Sequence, residues 1–311
     1  MRRALLFLAT LLFLAVATGA CDGDDESLEL PDSPEGLWEQ ARAAMAALDS
    51  YAVSFTFPYG PEEIGWDAEV AAPDSYHFLL VTAEGETKEE CAAPVEEGVF
   101  VYGTPCREVF TEITERSVLE TILVGDKAYS RQCEDQGTGC GQWQQRPRPQ
   151  LPIAGPSPTY APQWPLVAVE LAEPVEVVGR EEIGGTSVVH LHGRVNHLRA
   201  IFENERRVLT AAGISSFGRE CTAEASAPGE PPGEEVCRDL TFEESLEQQE
   251  PDLSFYDKNP AVIDIWVSPD DLFIRRIAIG APPPPEEPES GQVALIIEYS
   301  RFNQVQVSPP Q

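Results

Sequence analysis

The most decisive stretch for the fold is residues 261–279, which read AVIDIWVSPDDLFIRRIAI. Two runs rich in β-branched and apolar residues, 261–268 and 272–279, flank a short polar turn signal, and this pattern predicts two adjacent strands. A third run at 292–301 predicts a further strand. Before it lies APPPPEEP at 281–288, which we interpret as an extended acidic hairpin tip. The C-terminal sequence therefore predicts that the chain ends in antiparallel hairpins, which are called the closing hairpins.

The sequence pattern of the N-terminal half predicts one helix followed by a long series of strands. Ser33-Pro34-Glu35 is a helix start, because it combines an N-cap, a proline in the first turn and an early acid. This helix is predicted to run to about Asp49. Alternation of apolar and polar residues then predicts half-buried strands. They are predicted at 51–57, 64–71, 75–82, 98–102, 107–114, 118–124 and 127–131.

The second half of the chain predicts two more helices and an insertion. Its predicted elements are a proline-rich surface crossing at 145–165, a short helix at 166–171, strands at 174–179 and 187–195, and an amphipathic helix at 196–212 that ends at Gly213. The Glu-, Pro- and Ser-rich segment 214–259 is predicted to be an insertion held by Cys221 and Cys237.

The first 20 residues have the composition of an export signal. Two arginines precede an uncharged apolar run at 4–17, which is too short for a membrane span and typical of a signal h-region. Thr18-Gly19-Ala20 followed by Cys21 matches the lipobox of bacterial lipoproteins. This match implies that the Cys21 thiol carries a diacylglyceryl group in the mature chain. The alternative is an ordinary secreted protein cut after Ala20.

Three parts are predicted for the chain of 311 residues. Residues 1–20 form the lipoprotein signal peptide, residues 21–32 an acidic flexible tether, and residues 33–311 a single domain with the insertion at 214–259. A calcium loop in the tether is disfavoured, because the spaced ligands and the distal bidentate Glu of an EF-hand are missing.

The cysteines predict disulfides. If Cys21 carries lipid, an even number remains from the total of 7, and an even count in an exported chain implies disulfide bonds. Several connectivities are possible, but the residues fall into close pairs, and each short loop would contribute about 2–3 kcal/mol. These pairs are Cys91 with Cys106, Cys133 with Cys140, and Cys221 with Cys237. Zinc is the disfavoured alternative, because no pair has CxxC spacing and no His lies nearby in sequence.

The charge of the chain limits its partners. It has 21 Lys plus Arg against 53 Asp plus Glu, for a net charge of −32, and 42% hydrophobic residues. Such a surface repels the phosphates of nucleic acids and anionic lipid headgroups at long range, so we predict no nucleic-acid partner. The apolar content is too high for a disordered chain.

Residues with catalytic or metal-binding side chains do not form a recognisable site. His190 and His192 are two apart in a predicted strand, with His197 nearby, but no acid or Cys lies at matching spacing, so we interpret them as the outward polar side of the strand. The segment 213–218, GISSFG, has the wrong glycine spacing for a nucleophile elbow. We predict that the chain is not an enzyme and has no catalytic residue, metal or cofactor.

Three strings carry a resemblance to a known family. They are ILVGDKAYSR at 122–131, followed by Trp143; VIDIW at 262–266 with DDLFIRRIAI after it; and YSRFNQVQVSPP at 299–310. With the lipobox and the order of elements, the chain resembles the LppX/LprA/LprF/LprG family of lipid-carrying lipoproteins, which are related to LolA and LolB. The resemblance implies a mainly β, α+β fold: a half-open antiparallel β-barrel wrapped around a few helices, enclosing an apolar cavity that takes acyl chains. The disulfides and the 214–259 segment depart from the family pattern.

A sheet that curls without closing presents an apolar face, and helices packed there either fill it or leave room for a ligand. The residues that could line such a space, or else form ordinary core, are Phe55, Phe57, Trp66, Val70, Phe78, Leu198, Ile201 and Phe202.

The predicted function is that of an envelope lipoprotein on the outer face of the bacterial cytoplasmic membrane, anchored through Cys21. It would hold an acyl chain of a lipid or glycolipid for carriage or presentation, without covalent chemistry. The alternative is a structural or sensory envelope protein that uses the same fold to bind a protein partner at its sheet edges or acidic insertion.

Overall fold

The computed structural model describes residues 33–57, 64–71, 75–91, 106–134, 139–147, 162–211, 213–223, 235–280 and 293–310. All of these residues belong to one compact unit, Pro31–Gln311. The predicted signal peptide, the tether with Cys21, the strand at 98–102 and the hairpin tip at 281–288 lie outside the described residues.

Most helices and strands follow one another as the sequence predicts. The described helices are α1 Pro34–Ala46, α2 Trp164–Leu171, α3 His197–Ala211 and α4 Phe242–Lys258. The described strands are β1 Ser50–Phe57, β2 Ile64–Ala71, β3 Ser75–Cys91, β4 Cys106–Val124, β5 Lys127–Glu134, β6 Gln144–Pro147, β7 Glu173–Ile183, β8 Thr186–Val195, β9 Gly218–Ala223, β10 Glu235–Leu240, β11 Ala261–Val267, β12 Ile274–Gly280 and β13 Val293–Ser300.

Eleven of these strands form one antiparallel sheet in the order β6-β5-β4-β3-β2-β1-β13-β12-β11-β8-β7. Strand β1 pairs with β13, so this contact joins the N-terminal meander to the closing hairpins. The outermost strands, β6 and β7, do not pair with each other among the described residues. The sheet is therefore open. Together with the helices this confirms the predicted α+β, mainly β, half-open antiparallel barrel.

One face of the sheet carries a continuous apolar row. Phe55 pairs with Ile297, which pairs with Ile277; Ile265 and Leu191 continue the row on the next two strands. All five side chains are at most 1% exposed. Because side chains on a strand alternate between faces, this register places the apolar side of every central strand toward the same layer.

Helix α1 begins as its sequence predicts and packs on this apolar face. The Ser33 Oγ accepts a hydrogen bond from the Gly36 N–H, which caps the first turn. Trp38, 2% exposed, donates from Nε1 to the Val169 carbonyl of α2 at 2.9 Å and lies against Gly193 of β8. Trp38 therefore joins α1 to both the sheet and α2.

Two predicted strand limits are wrong. Residues 107–114 and 118–124 are not separate strands but parts of β4, because the polar residues Glu115, Arg116 and Ser117 pair with β3 instead of turning. At the other end of the chain, Leu272 has φ 61, which ends the preceding turn in the left-handed region, so β12 begins at Ile274.

The segment 214–259 is more ordered than its composition indicates. It contains the two-stranded hairpin β9–β10 and the helix α4, which begins with a capping box between Thr241 and Glu244. Leu253 of α4 is fully buried and packs with Tyr256 against Leu198 of α3. The sequence did not predict α4, because few of its residues are apolar and only Leu253 and Tyr256 are buried.

Candidate functional site

A cavity of about 380 Å³ lies between helices α1, α2 and α3 and the apolar face of the sheet. This volume is within the range of small-molecule sites in proteins. Its described lining residues are Arg42, Met45, Ala46, Tyr76, Gln163, Leu166, Val167, Val169, Glu170, Asn204, Arg207, Val208, Ala211 and Ile274. Nine of these fourteen residues are aliphatic or aromatic, so the walls are mainly apolar.

Apolar walls come from each of the elements that meet here. Helix α1 contributes Met45, whose Sδ accepts a hydrogen bond from the Ile274 N–H at 3.4 Å. This contact holds the C-terminal turn of α1 beside the start of β12. Helix α2 contributes Val167 and Val169, and its position is fixed by the Trp38 hydrogen bond described above.

Uncharged polar groups also reach the cavity wall. Gln163 precedes α2 and donates from Nε2 to the Tyr76 hydroxyl at 3.1 Å. Asn204 lies on α3 and is only 1% exposed. These groups give a mainly apolar cavity a few hydrogen-bonding positions, which is the usual composition of a site that orients its ligand.

The charged residues at the cavity form ion pairs. Arg207 of α3 donates from Nη1 and Nη2 to the two carboxylate oxygens of Glu170 on α2, each at 2.8 Å, and from Nε to Glu203 at 2.8 Å. The bond from Arg207, reinforced by its charge and opposed by partial burial, lowers the pKa of Glu170. The Glu170–Arg207 pair therefore fastens α2 to α3 at the cavity.

Four of the residues predicted to line a cavity lie on the same face of the sheet but not in this cavity. Phe55, Trp66, Val70 and Phe78 are all buried. The Phe55 and Trp66 rings stack with centroids 3.7 Å apart, and Trp66 lies 6.1 Å from Phe78. Phe78 in turn lies 5.7 Å from Tyr76, which does line the cavity. An aromatic row therefore leads from the middle of the sheet to the cavity wall.

The other four predicted lining residues are placed elsewhere. Leu198 and Phe202 of α3 pack in the cluster with Leu253 and Tyr256 of α4. Ile201 is half-buried on the same helix, and the Phe57 side chain lies outside the described residues. None of these residues is among those described as lining the cavity. Sequence alternation identified the apolar face but not the place where three helices leave space on it.

Of the predicted disulfides, the structure contains Cys133–Cys140, with Cα atoms 3.9 Å apart. Cys237 is disulfide-bonded and faces Cys221 across the β9–β10 hairpin. Cys91 and Cys106 face each other at the ends of β3 and β4. The side chains of these three partners, Cys91, Cys106 and Cys221, lie outside the described residues, so these two pairs stay predictions.

Cys133, Cys140 and Glu120 come close enough together to resemble a metal-binding group. The two sulfurs are bonded to each other, however, and a metal needs free thiolates. The Glu120 carboxylate also accepts one hydrogen bond from Nε of Arg131 at 2.5 Å, and its other oxygen lies 2.8 Å from Nε2 of His77. Its oxygens are therefore already used by protein groups.

The outward-facing side chains of His190 and His192 contact acidic residues that the sequence spacing did not predict. His190 has Glu181 of β7 at 2.8 Å on Nδ1 and Asp264 of β11 at 3.1 Å on Nε2. His192 contacts the same Asp264 oxygen at 2.8 Å. Glu181 lies on the adjacent strand β7, nine positions before His190, whereas Asp264 lies on β11, 74 positions after it. Pairing of the strands therefore brings together acids that lie outside the spacing of a local motif. Trp266 stacks on His190 with centroids 4.4 Å apart and covers one face of the ring.

His197 is different, because it is largely removed from water. Its ring meets Tyr256 edge-on with centroids 4.5 Å apart, and its Nδ1 has no hydrogen-bond partner in the described part of the chain. Burial lowers the pKa of His197 to about 4. It is a neutral packing residue of the α3–α4 contact.

Comparison with known proteins gives matches among solved structures. The chain is similar to LprF from Mycobacterium bovis, with 13% identity, 89% of this chain and 99% of that chain covered, and a TM-score of 0.42. The chain is also similar to the Mycobacterium tuberculosis lipoprotein LppX, with 12% identity, 89% of this chain and 100% of that chain covered, and a TM-score of 0.39. A DUF1329 family protein from Desulfovibrio piger matches with 7% identity, 88% and 93% coverage, and a TM-score of 0.25.

LprF and LppX belong to the family that the sequence strings resemble. No protein-family model matches the chain, and neither does a curated protein sequence. Identities this low do not transfer an activity from those proteins to this chain.

No helix among the described residues combines the length and the apolar character needed to cross a bilayer.

Proposed function

We propose that this protein is an envelope lipoprotein that holds an acyl chain of a lipid or glycolipid in the cavity between α1, α2 and α3. The observation that carries the proposal is the cavity of about 380 Å³ with mainly apolar walls. Moving an acyl chain from water into such a space gains about 0.8 kcal/mol for each methylene buried. Binding needs no covalent step, so the proposed role is carriage or presentation.

The N-terminal sequence supports a location for this role. A lipobox ending at Cys21 would attach the mature chain to the outer face of the cytoplasmic membrane, and residues 21–32 would act as a tether. The full chain has a net charge of −32, and this acidic excess would keep the domain from lying on anionic headgroups. The anchor would thus hold the cavity near the membrane without fixing it to the surface.

Native mass spectrometry of protein purified from membranes tests the proposal. We expect a mass adduct that is lost on denaturation, which separates a bound lipid from the covalent anchor. Val208 lines the cavity, so Val208→Trp should fill it and remove the adduct. Val178 is 53% exposed on β7 and does not line the cavity, so Val178→Trp is the matched control and should retain the adduct. Wild-type protein without an adduct, or equal adducts in both variants, would contradict the proposal.

One observation favours the alternative of a protein-docking role. Edge strand β7 exposes Val175, Val177 and Val178, each by 47 to 53%. A sheet edge with exposed apolar side chains is a common place for a partner strand to add. Two register shifts in β7, next to Val175 and Val178, weaken this reading, because bulges disrupt the regular pairing that an added strand needs.

A further inference from the structure

The charges around the cavity are balanced. The charged residues that the described part of the chain places on its lining are Arg42 of α1, Glu170 of α2 and Arg207 of α3. Whether a bound lipid can carry a charged head depends on whether either guanidinium is available to it. Both arginines have carboxylate partners.

Arg207 is the more fully engaged of the two. Its Nη1, Nη2 and Nε all donate to carboxylate oxygens, two to Glu170 and one to Glu203, each at 2.8 Å. Glu203 also accepts from Arg206 at 2.6 and 2.8 Å. Two arginines therefore share two carboxylates in one network that spans α2 and α3. A bidentate pair of this kind is stronger than a single-contact ion pair.

Arg42 is paired within its own helix. Its Nη2 donates to Glu39 at 2.5 Å, one turn earlier on α1. Arg42 also contributes, after Arg207, to the lowered pKa of Glu170, so its positive charge acts on that carboxylate as well. Among the described residues, Arg42, Arg206 and Arg207 thus match Glu39, Glu170 and Glu203 in number, and these pairs leave no excess positive charge at the cavity.

We infer that the cavity selects lipids with an uncharged, hydroxyl-bearing head over lipids with a carboxylate or phosphate head. This inference rests on the proposed lipid-binding function. An anionic head could accept from the remaining N–H groups of Arg207 only by lying beside the carboxylates of Glu170 and Glu203, whose like charge repels it, in a chain of net charge −32. Hydroxyl groups can instead donate to these carboxylates and accept from the remaining guanidinium N–H groups.

The uncharged polar wall fits the same class of head. Asn204 and Gln163 bring carboxamides to the cavity, and Tyr76 brings a hydroxyl. Amides and hydroxyls both donate and accept, so they suit esters, polyols and sugars. The head would then lie at the charged and amide-bearing part of the wall, with the acyl chain against Val167, Val169 and Ile274.

Binding of lipids with one acyl chain and different heads tests the inference. The mature protein, stripped of bound lipid, is titrated at about pH 8, where a fatty acid is ionised, with 1-monooleoylglycerol, oleate and 1-oleoyl lysophosphatidate. We expect monooleoylglycerol to bind at least about tenfold more tightly than either anion. Equal or tighter binding of an anion would overturn the inference while leaving the lipid-binding function intact. Failure of every probe to bind would instead contradict the function itself.

A variant separates charge from shape. Glu170→Gln keeps the size of the side chain and frees part of the Arg207 charge, so the preference for the uncharged lipid should fall by about tenfold. Glu247→Gln makes the same charge change on an exposed position of α4 away from the cavity and should leave the preference unchanged. Should Glu170→Gln not fold, the wild-type preference can be measured against ionic strength. It should weaken with added salt, and a salt-independent preference would overturn the inference.

Discussion

Trp38 lies so close to Gly193 that no side chain fits between them: a Cβ atom built on Gly193 would be 2.9 Å from Cη2 of Trp38 and 3.0 Å from the Glu173 carbonyl oxygen. The same indole donates to the Val169 carbonyl at 2.9 Å. The glycine on β8 thus allows α1 to approach the sheet, and α1 in turn positions α2 at the cavity.

Gly193→Ala should therefore destabilise the protein by about 1–3 kcal/mol, because the added methyl group forces the helix or the neighbouring strand to move. Equilibrium unfolding in urea measures the change. Gly179→Ala is the control: a Cβ there meets nothing within 4 Å, so its free energy of unfolding should stay close to that of the wild type. Equal effects of the two substitutions would show that α1 does not press on β8.

Much of the sheet was predictable because strand alternation is a local signal. The runs containing Phe55 and Ile297 show which side chains share a face, but their pairing joins residues at opposite ends of the chain. Pairing between distant strands depends on long-range packing, so the order of the sheet did not follow from local pattern alone. A local pattern can also mislead: the polar residues Glu115 to Ser117 resemble a turn in sequence but lie inside strand β4.

The sequence could predict that an apolar cavity exists, but not which residues line it. Apolar residues on the sheet face, such as Phe78, are indistinguishable in sequence from those that border a space. The space exists because α1, α2 and α3 meet around it, and the short helix α2 has apolar residues on most sides, so its cavity-facing positions have no periodic signal. Arg207 and Glu170 likewise find each other only through the packing of two helices.

The Cys133–Cys140 bond closes a loop next to the long hairpin. Replacing both cysteines by serine should lower the free energy of unfolding by about 2–3 kcal/mol, because the bond restricts the unfolded chain and Cys133 is only 3% exposed. Urea denaturation of the double variant measures this. An unchanged midpoint would indicate that the bond does not form in the protein.

Mapping of peptides without reduction tests the remaining two pairs. The register predicts cross-linked peptides joining Cys91 to Cys106 and Cys221 to Cys237. Cys237 linked to any other cysteine would contradict this connectivity.

Cys21 should be the only link between the domain and the bilayer. We expect Cys21→Ala to move the protein from the membrane fraction to the soluble extracytoplasmic fraction, because two or more acyl chains anchor a protein stably and none remains in the variant. Fractionation followed by immunodetection measures the shift. A serine substitution at Cys133 together with Cys140 is the control for losing cysteines without losing the lipid, and it should stay with the membrane. Retention of Cys21→Ala would refute the anchor.

His197 makes stability depend on pH in a defined direction. Burial lowers the pKa of this ring to about 4, whereas in the unfolded chain it is near the ordinary value of about 6.5. Between these values the unfolded state binds a proton that the folded state does not, so stability falls as pH decreases from about 6.5 to about 4, by up to about 3 kcal/mol. His197→Phe keeps an aromatic ring against Tyr256 and removes the titration. The variant should therefore gain stability relative to the wild type at pH 5 and less at pH 7.5, as measured by urea denaturation. A stability difference that does not change with pH would mean that His197 is accessible to protons in the folded protein.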